Sequence, residues 1–166
     1  MSAAQGYKLT TLGSGRVTAE TVRAKRKQSF TDAPGPWTIT IDGPPVGKGR
    51  PRASSLGGKI VMRTPTATRN HERWVALCAR PFLPRDKIGG PIGVDCEFVT
   101  ERPKRLKDSK RDEPDVGAGD VDNYVKAILD GLSAHFDDHL VTEIHAKKRY
   151  ANPQEKPHAR VCVRRA

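Results

Sequence analysis

Five aspartates, Asp120, Asp122, Asp130, Asp137 and Asp138, fall within the stretch GAGDVDNYVKAILDGLSAHFDDHL. Carboxylates at that density can hold a hard divalent cation such as Mg²⁺, which uses one or two protein carboxylates and completes its shell with water and substrate phosphate oxygens. Asp122, Lys126 and Asp130 follow at i, i+4 and i+8, so a helix puts them on one stripe beside its apolar face. Asp120 stands at the entry to that helix, and Asp137 and Asp138 sit in the connection after it, free to meet either end. Each acid alone suits an ordinary duty: a helix cap at Asp120, a macrodipole partner at Asp122, an Asp122/Lys126 pair, a turn at Asp137 and Asp138. Together, in a chain that is basic elsewhere, they fit a carboxylate metal site that works on phosphodiesters.

The rest of the chain supplies the opposite charge. Its 166 residues carry a net charge of +11 and a pI near 9.9, a balance that attracts polyanions, nucleic acid ahead of an anionic membrane surface. Lys48, Arg50 and Arg52 in GKGRPR are candidate donors to DNA phosphates, as is Arg69. Two further basic stretches flank the acidic motif, Lys104, Arg105, Lys107, Lys110 and Arg111 before it and Lys147, Lys148 and Arg149 after it, which suits a DNA path across the site. GPPVGKGR is not a nucleotide-phosphate loop, because it is one residue short of GxxxxGK[ST] and Gly49 stands where the hydroxyl residue belongs. Of His135, His139 and His145 only the first two have i, i+4 spacing, and a loop is expected between them, so all three are expected at the surface or partly packed and not as transition-metal ligands. With aromatic residues at 5%, a base-stacking platform for single strands is disfavoured. Three scattered cysteines, Cys78, Cys96 and Cys162, fit neither a disulfide framework nor a zinc site and point to a reducing compartment. With no secretory signal and no apolar run of the roughly 18 residues a membrane helix needs, the expected location is the cytoplasm, with nucleoid association when DNA is bound.

The elements that must position these groups are legible from periodicity. Residues 1–35 are poor in large apolar groups and contain the basic cluster RAKRKQ, so they read as a mobile basic extension with a short helix around Ala19 to Lys27; the domain proper is expected over 36–166. WTITIDG alternates as a strand, KIVMRT reads as another, and the glycine- and arginine-rich run between them as a loop. TATRNHERWVALCAR predicts a helix with Trp74, Leu77 and Cys78 on its core stripe, capped by Thr66 or Thr68 and stopped by Pro81. GVDCEFVTERP is a strand with Val94, Cys96 and Phe98 on one face; KRLKDSKRDEPDVGAG is an exposed loop. DVDNYVKAILDGLSAH is a helix burying Val121, Val125, Ile128, Leu129 and Leu132, and LVTEIHAKKRY and HARVCVRR are closing strands. The order predicts one α+β domain in which two main helices pack on a mostly antiparallel or mixed sheet.

GDVDNYVKAILDGLSAHFDD resembles the signature of the RusA family of Holliday-junction resolvases, in which Asp-x-Asp-Asn-x-x-Lys opens a helix and an Asp-Asp pair follows. GKGRPR, RTP and TEIHAKKRY are similar to other segments of that family, and the resemblance runs from Trp37 to Arg164. It implies a RusA-like fold and a crossover junction endodeoxyribonuclease of DNA recombination and repair. Its catalytic residues would be Asp120, Asp122, Lys126 and Asp138, with the three aspartates as ligands to Mg²⁺, or Mn²⁺ in its place. Asn123, Asp130 and Asp137 would support the site, Asp130 by orienting Lys126. Paired, symmetric nicks on a four-way junction call for a two-fold homodimer. The competing readings are a non-catalytic basic DNA-binding module and a metal nuclease acting on other branched nucleic acids.

Overall fold

The computed structural model describes residues 30–31, 33–106, 114–117 and 119–166. The basic cluster and short helix expected before residue 30, and Lys107, Lys110 and Arg111, lie outside the described residues. In chain order the elements are β1 (Phe30–Thr31), β2 (Trp37–Asp42), β3 (Arg52–Leu56), β4 (Lys59–Arg63), α1 (Thr66–Ala79), β5 (Lys87–Ile88), β6 (Ile92–Thr100), α2 (Val121–Leu132), β7 (Val141–Tyr150) and β8 (His158–Arg165), with short 3₁₀ turns at Lys104–Leu106 and Asp138–Leu140. The described residues form a single α+β domain of the expected class.

Four strands form the main sheet in the order β2-β8-β6-β7. β8 runs antiparallel to both β2 and β6, whereas β7 pairs parallel with β6, returning to it by way of α2. One face of this sheet carries Ile39, Ile41, Val94, Cys96, Phe98, Val161 and Val163, all buried, and both helices cover it. The expected alternation of Val94, Cys96 and Phe98 is therefore observed, and burial pushes the Cys96 thiol up to about 12, as suits a small apolar packing group. α2 contributes Val125, Ile128 and Leu132 to the same core, with Val121 and Leu129 packed against its margin. The opposite face of the sheet carries charged ladders, among them Glu143, Arg164 and Asp95, joined by ion pairs of 2.6 Å and 3.3 Å. No helix among the described residues is long and apolar enough to cross a membrane.

Two expectations for α1 are corrected. Its buried positions are Thr68, His71, Val75 and Ala79, while Trp74 and Leu77 are 46% and 59% exposed. The cause is the closeness of α1 to α2: Val75 faces Gly131, where an added Cβ would lie 2.6 Å from the valine Cβ, so small groups and not the bulkiest ones define the contact stripe. Trp74 lies on the flank and donates its indole N–H to the Asp42 carbonyl at 2.9 Å. Nor does a threonine cap the helix. The N-cap position is Pro65, with no side-chain cap hydrogen bond, and the Thr68 hydroxyl accepts from the Gly49 N–H at 3.0 Å. The run expected as a loop before KIVMRT also contains β3, which pairs with β4 across a Gly57-Gly58 turn.

Candidate functional site

Asp120 occupies the N-cap position of α2 with an extended backbone (φ −81°, ψ 138°), yet its carboxylate makes no capping hydrogen bond. The Asp120 carbonyl instead accepts from the N–H groups of Asn123 and Tyr124, which starts the helix, and the Asn123 amide reaches the carboxylate at 3.4 Å. One turn on, Lys126 donates to Asp122 at 3.0 Å, both side chains about 60% exposed (59% and 61%). That hydrogen bond holds the Asp122 carboxyl below the usual carboxylate range, so it is an anion at neutral pH. Asp130, two turns past Asp122, is paired with Lys48 and not with Lys126. It is Asp122, then, whose carboxylate contacts Lys126, and Lys48, expected as a phosphate donor, already has a carboxylate partner in Asp130.

The loop that carries Lys48 is bound to the first turn of α2 through Lys48 N–H to the Asn123 carbonyl, 2.9 Å. Glu72 of α1 faces the same place: burial and the nearby Asp130 raise its carboxyl above the ordinary value. Sequence spacing offered no signal for Glu72, because its proximity arises only where α1 crosses α2.

A second set of groups, also missed, holds the segment that leads into Asp120. Asp115 is 5% exposed, accepts from the Thr100 hydroxyl at 2.7 Å and from the Gly117 N–H at 2.7 Å, and is bonded by Tyr150. Burial pushes this carboxyl up, but those hydrogen bonds outweigh it and leave it below its usual range. Lys148 completes the clamp by donating to the Gly119 carbonyl at 2.6 Å. Gly119 itself has φ +98°, and an added Cβ would fall 2.3 Å from the Tyr124 hydroxyl, so only glycine fits at the step before Asp120. The pattern Asp-x-Gly at Asp115 to Gly117 is an Asx-turn signal, hidden within a loop expected to be exposed throughout. Lys147 points to the other side of the sheet, where it meets Glu97 at 3.1 Å, so the two adjacent lysines do not act as one basic stretch. Lys104 and Arg105 lie in the 3₁₀ turn beyond β6, and Arg69 near the start of α1, with its guanidinium 3.4 Å from the Thr66 hydroxyl.

Asp137 and Asp138 lie beyond the opposite end of α2. Asp137 pairs with Lys87 of β5, which lowers its carboxyl, and Asp138 opens the 3₁₀ turn leading into β7. α2 has 12 residues, so it separates Asp138 from Asp120 by roughly 18 Å at 1.5 Å per residue. β7 is an independent ruler. It begins at Val141, beside Asp138, and reaches the Asp120 end at Lys148, roughly 23 Å away at 3.3 Å per residue. The pair thus meets the C-terminal end of α2, and among the described residues no three His, Cys, Asp or Glu side chains of one chain are grouped to hold a metal. His135 is buried against the Pro84 carbonyl at 3.0 Å, a packed histidine as expected.

The matches to known proteins span this whole region. YqaN of Bacillus subtilis (strain 168), an uncharacterized protein, is 34% identical over 136 residues, covering 76% of this chain and 94% of YqaN. The family model described as Endodeoxyribonuclease RusA matches residues 42–164, which include α2, both aspartate clusters and the Lys48 loop. With its α+β fold and its Asp-x-Asp-Asn-x-x-Lys helix start, the chain belongs to the RusA family of endodeoxyribonucleases.

Proposed function

We propose that this protein is a Mg²⁺-dependent endonuclease that resolves four-way DNA junctions by paired, symmetric nicks, as a two-fold homodimer serving recombination and repair. The observation that carries this reading is Asp120: a carboxylate at a helix N-cap that forms no cap, two residues from a second exposed carboxylate, in a strongly basic chain. Asp120 and Asp122 suit a hard cation that takes one or two protein carboxylates, and Mn²⁺ would serve in place of Mg²⁺. When bound, the cation supplies Lewis acidity and charge neutralisation at the scissile phosphate. Lys126, already beside Asp122, offsets negative charge developing on the phosphate oxygens. Asn123 and the Lys48 loop shape the wall next to it.

Asp138 does not reach this pair within its own chain. In a two-fold dimer with the α2 helices of the two copies side by side and antiparallel, each Asp138 would come to the Asp120 end of the other copy. The homodimer then does more than place two cuts: it completes each site.

The second reading, a non-catalytic DNA-binding module, draws on the i, i+4 pairing of Asp122 with Lys126, which is also what a plain surface helix does. Cleavage of a labelled four-way junction beside a linear duplex of the same sequence, with Mg²⁺ or chelator, separates the two. Symmetric nicks on the junction alone, lost with chelator and in Asp122→Asn while binding persists, are expected. Binding without cutting under Mg²⁺ and Mn²⁺ would favour the module, and cutting of flaps in preference to junctions would move the substrate to other branched nucleic acids.

A further inference from the structure

The β3-β4 hairpin pairs with no other strand of the described chain, and all of its described side chains are exposed except Ser54, which is half-buried. It is nevertheless a built element. Gly57 and Gly58 take φ of +57° and +77°, the two-residue primed turn whose twist suits a tight hairpin. An isolated two-stranded ribbon has little stability of its own, and nothing in its own fold rewards exposed apolar groups. Yet Ile60 is 80% exposed and Met62 61%.

The register sorts the side chains. Met62 stands opposite Ala53 and Ile60 opposite Ser55, so one face is free of charge and apolar but for the Ser55 hydroxyl. On the other face Arg52 stands directly opposite Arg63, a like-charge pair that is unfavourable without an anion between them. Between Gly43 and His71 the sequence has no Asp or Glu, while Lys48, Arg50, Arg52, Lys59, Arg63 and Arg69 are all basic. The base of the hairpin is tied to the candidate site, through Lys48 to Asn123 and Asp130 on α2 and through the Gly49 N–H to Thr68 on α1. An element with cationic arms, a bare apolar face and a root beside the aspartates matches DNA whose bases are already partly unstacked. Inserting apolar side chains into a base step costs unstacking energy, and that cost is least where stacking is already broken, as at a branch point.

We infer that the β3-β4 hairpin is the branch-sensing element: Ile60 and Met62 enter the open base steps at the branch point of a DNA junction, while Arg52 and Arg63 hold a flanking phosphate. This rests on the junction-nuclease reading above.

The test is run in chelator, so that no cutting is involved, with 2-aminopurine placed at the branch point of a four-way junction and at the matching position of a linear duplex. Wild type is expected to raise the junction emission severalfold, leave the duplex emission unchanged, and bind the junction more tightly. The Ile60→Ser/Met62→Ser variant, with unchanged circular dichroism, is expected to keep its duplex affinity within about twofold, lose the emission rise, and lose roughly tenfold in junction preference. Arg52→Ala/Arg63→Ala is expected to weaken binding to both DNAs. If Ile60→Ser/Met62→Ser retains both the emission rise and the preference, the inference is overturned. It is likewise overturned if that variant loses them only because its sedimentation shows a changed oligomeric state, which would make the face a contact between copies. Junction cutting that persists beside a silent hairpin leaves the nuclease reading standing without the inference. An emission rise that depends on Ile60 and Met62 in a protein that cuts nothing supports branch sensing and removes the nuclease.

Discussion

Asp115 supports the candidate site through its hydrogen bonds. Its carboxylate takes hydrogen bonds from Thr100, Gly117 and Tyr150 and so fixes the path of the backbone into Asp120. Asp115→Asn keeps the shape but replaces one acceptor oxygen with a donor, so buried donors lose their partner. A loss of about 1–3 kcal/mol in urea unfolding is expected, with junction cleavage falling further than junction binding. An unchanged unfolding midpoint would show that the clamp is not built as described. A different residue, Glu155, sets the acid limb of stability. Arg149 meets it at 2.6 Å and holds its carboxyl at about 2, from an ordinary 4.5. A depressed carboxylate contributes stability above its unfolded pKa and loses it as pH falls through the folded one, so this contribution is complete above pH 4.5 and fades towards pH 2. Arg149→Leu, which also leaves Glu97 without its guanidinium, is expected to cost roughly 1–3 kcal/mol at pH 7 and much less at pH 2, read from thermal melts.

Among the elements, α2 has two jobs that meet at opposite ends. Its apolar stripe, Val125, Ile128 and Leu132, seats it on the sheet, and burial of each such side chain contributes about 1.5–3 kcal/mol. With that stripe fixed, Asp122, Lys126 and Asp130 have no choice but to line its flank beside the Lys48 loop. The closeness of α1 depends on Gly131, since a Cβ there would meet Val75 at 2.6 Å and the Glu72 carbonyl at 3.0 Å. Gly131→Ala gains about 1 kcal/mol of helix propensity but overpacks a crossing of rigid parts, which costs typically 1–3 kcal/mol. A net destabilisation with a shift of Glu72 away from Asp130 is expected, and a variant as stable as wild type in denaturant, or more so, would mean the helices separate freely. Val75→Ala in the same background should restore little of the loss, because it removes only the Cγ1 contact at 2.7 Å and keeps the Val75 Cβ at 2.6 Å.

For the whole molecule, the separation of Asp138 from Asp120 along α2 makes a prediction about assembly. If each site takes Asp120 and Asp122 from one copy and Asp138 from the other, mixing inactive Asp122→Asn with inactive Asp138→Asn produces heterodimers with one doubly damaged and one intact site. Such mixtures are expected to recover nicking of one strand per junction, without the paired second cut. A mixture as inactive as its components, at concentrations where exchange is demonstrated, would place all the ligands in one chain. The charge of +11 has its own consequence: binding driven by phosphate neutralisation should fall linearly in logarithm with the logarithm of salt, for junction and linear DNA alike. The preference between the two DNAs should fall less steeply, since an apolar wedge releases no counterions.

Local pattern was enough for what depends on neighbours along the chain. Alternation marked β2 and β6, the i, i+4, i+7 spacing marked α2 and its buried face, and the Asp-x-Asp-Asn-x-x-Lys run with its trailing Asp-Asp pointed to the family, because each of those signals lies within one continuous stretch of the chain. The tertiary structure decided what depends on how elements meet. It turned α1 so that Val75 and not Trp74 faces the core, since a close helix crossing favours small groups over large ones. It paired Asp130 with Lys48 across 82 positions of sequence and buried Asp115 beneath Thr100 and Tyr150. It also carried Asp137 and Asp138 to the far end of α2, because a parallel return of β7 along β6 leaves the connection at the end of the sheet opposite Asp120. Sequence spacing counts residues, and twenty residues that close one helical hairpin or span one helix count the same; only the direction of the returning strand tells them apart.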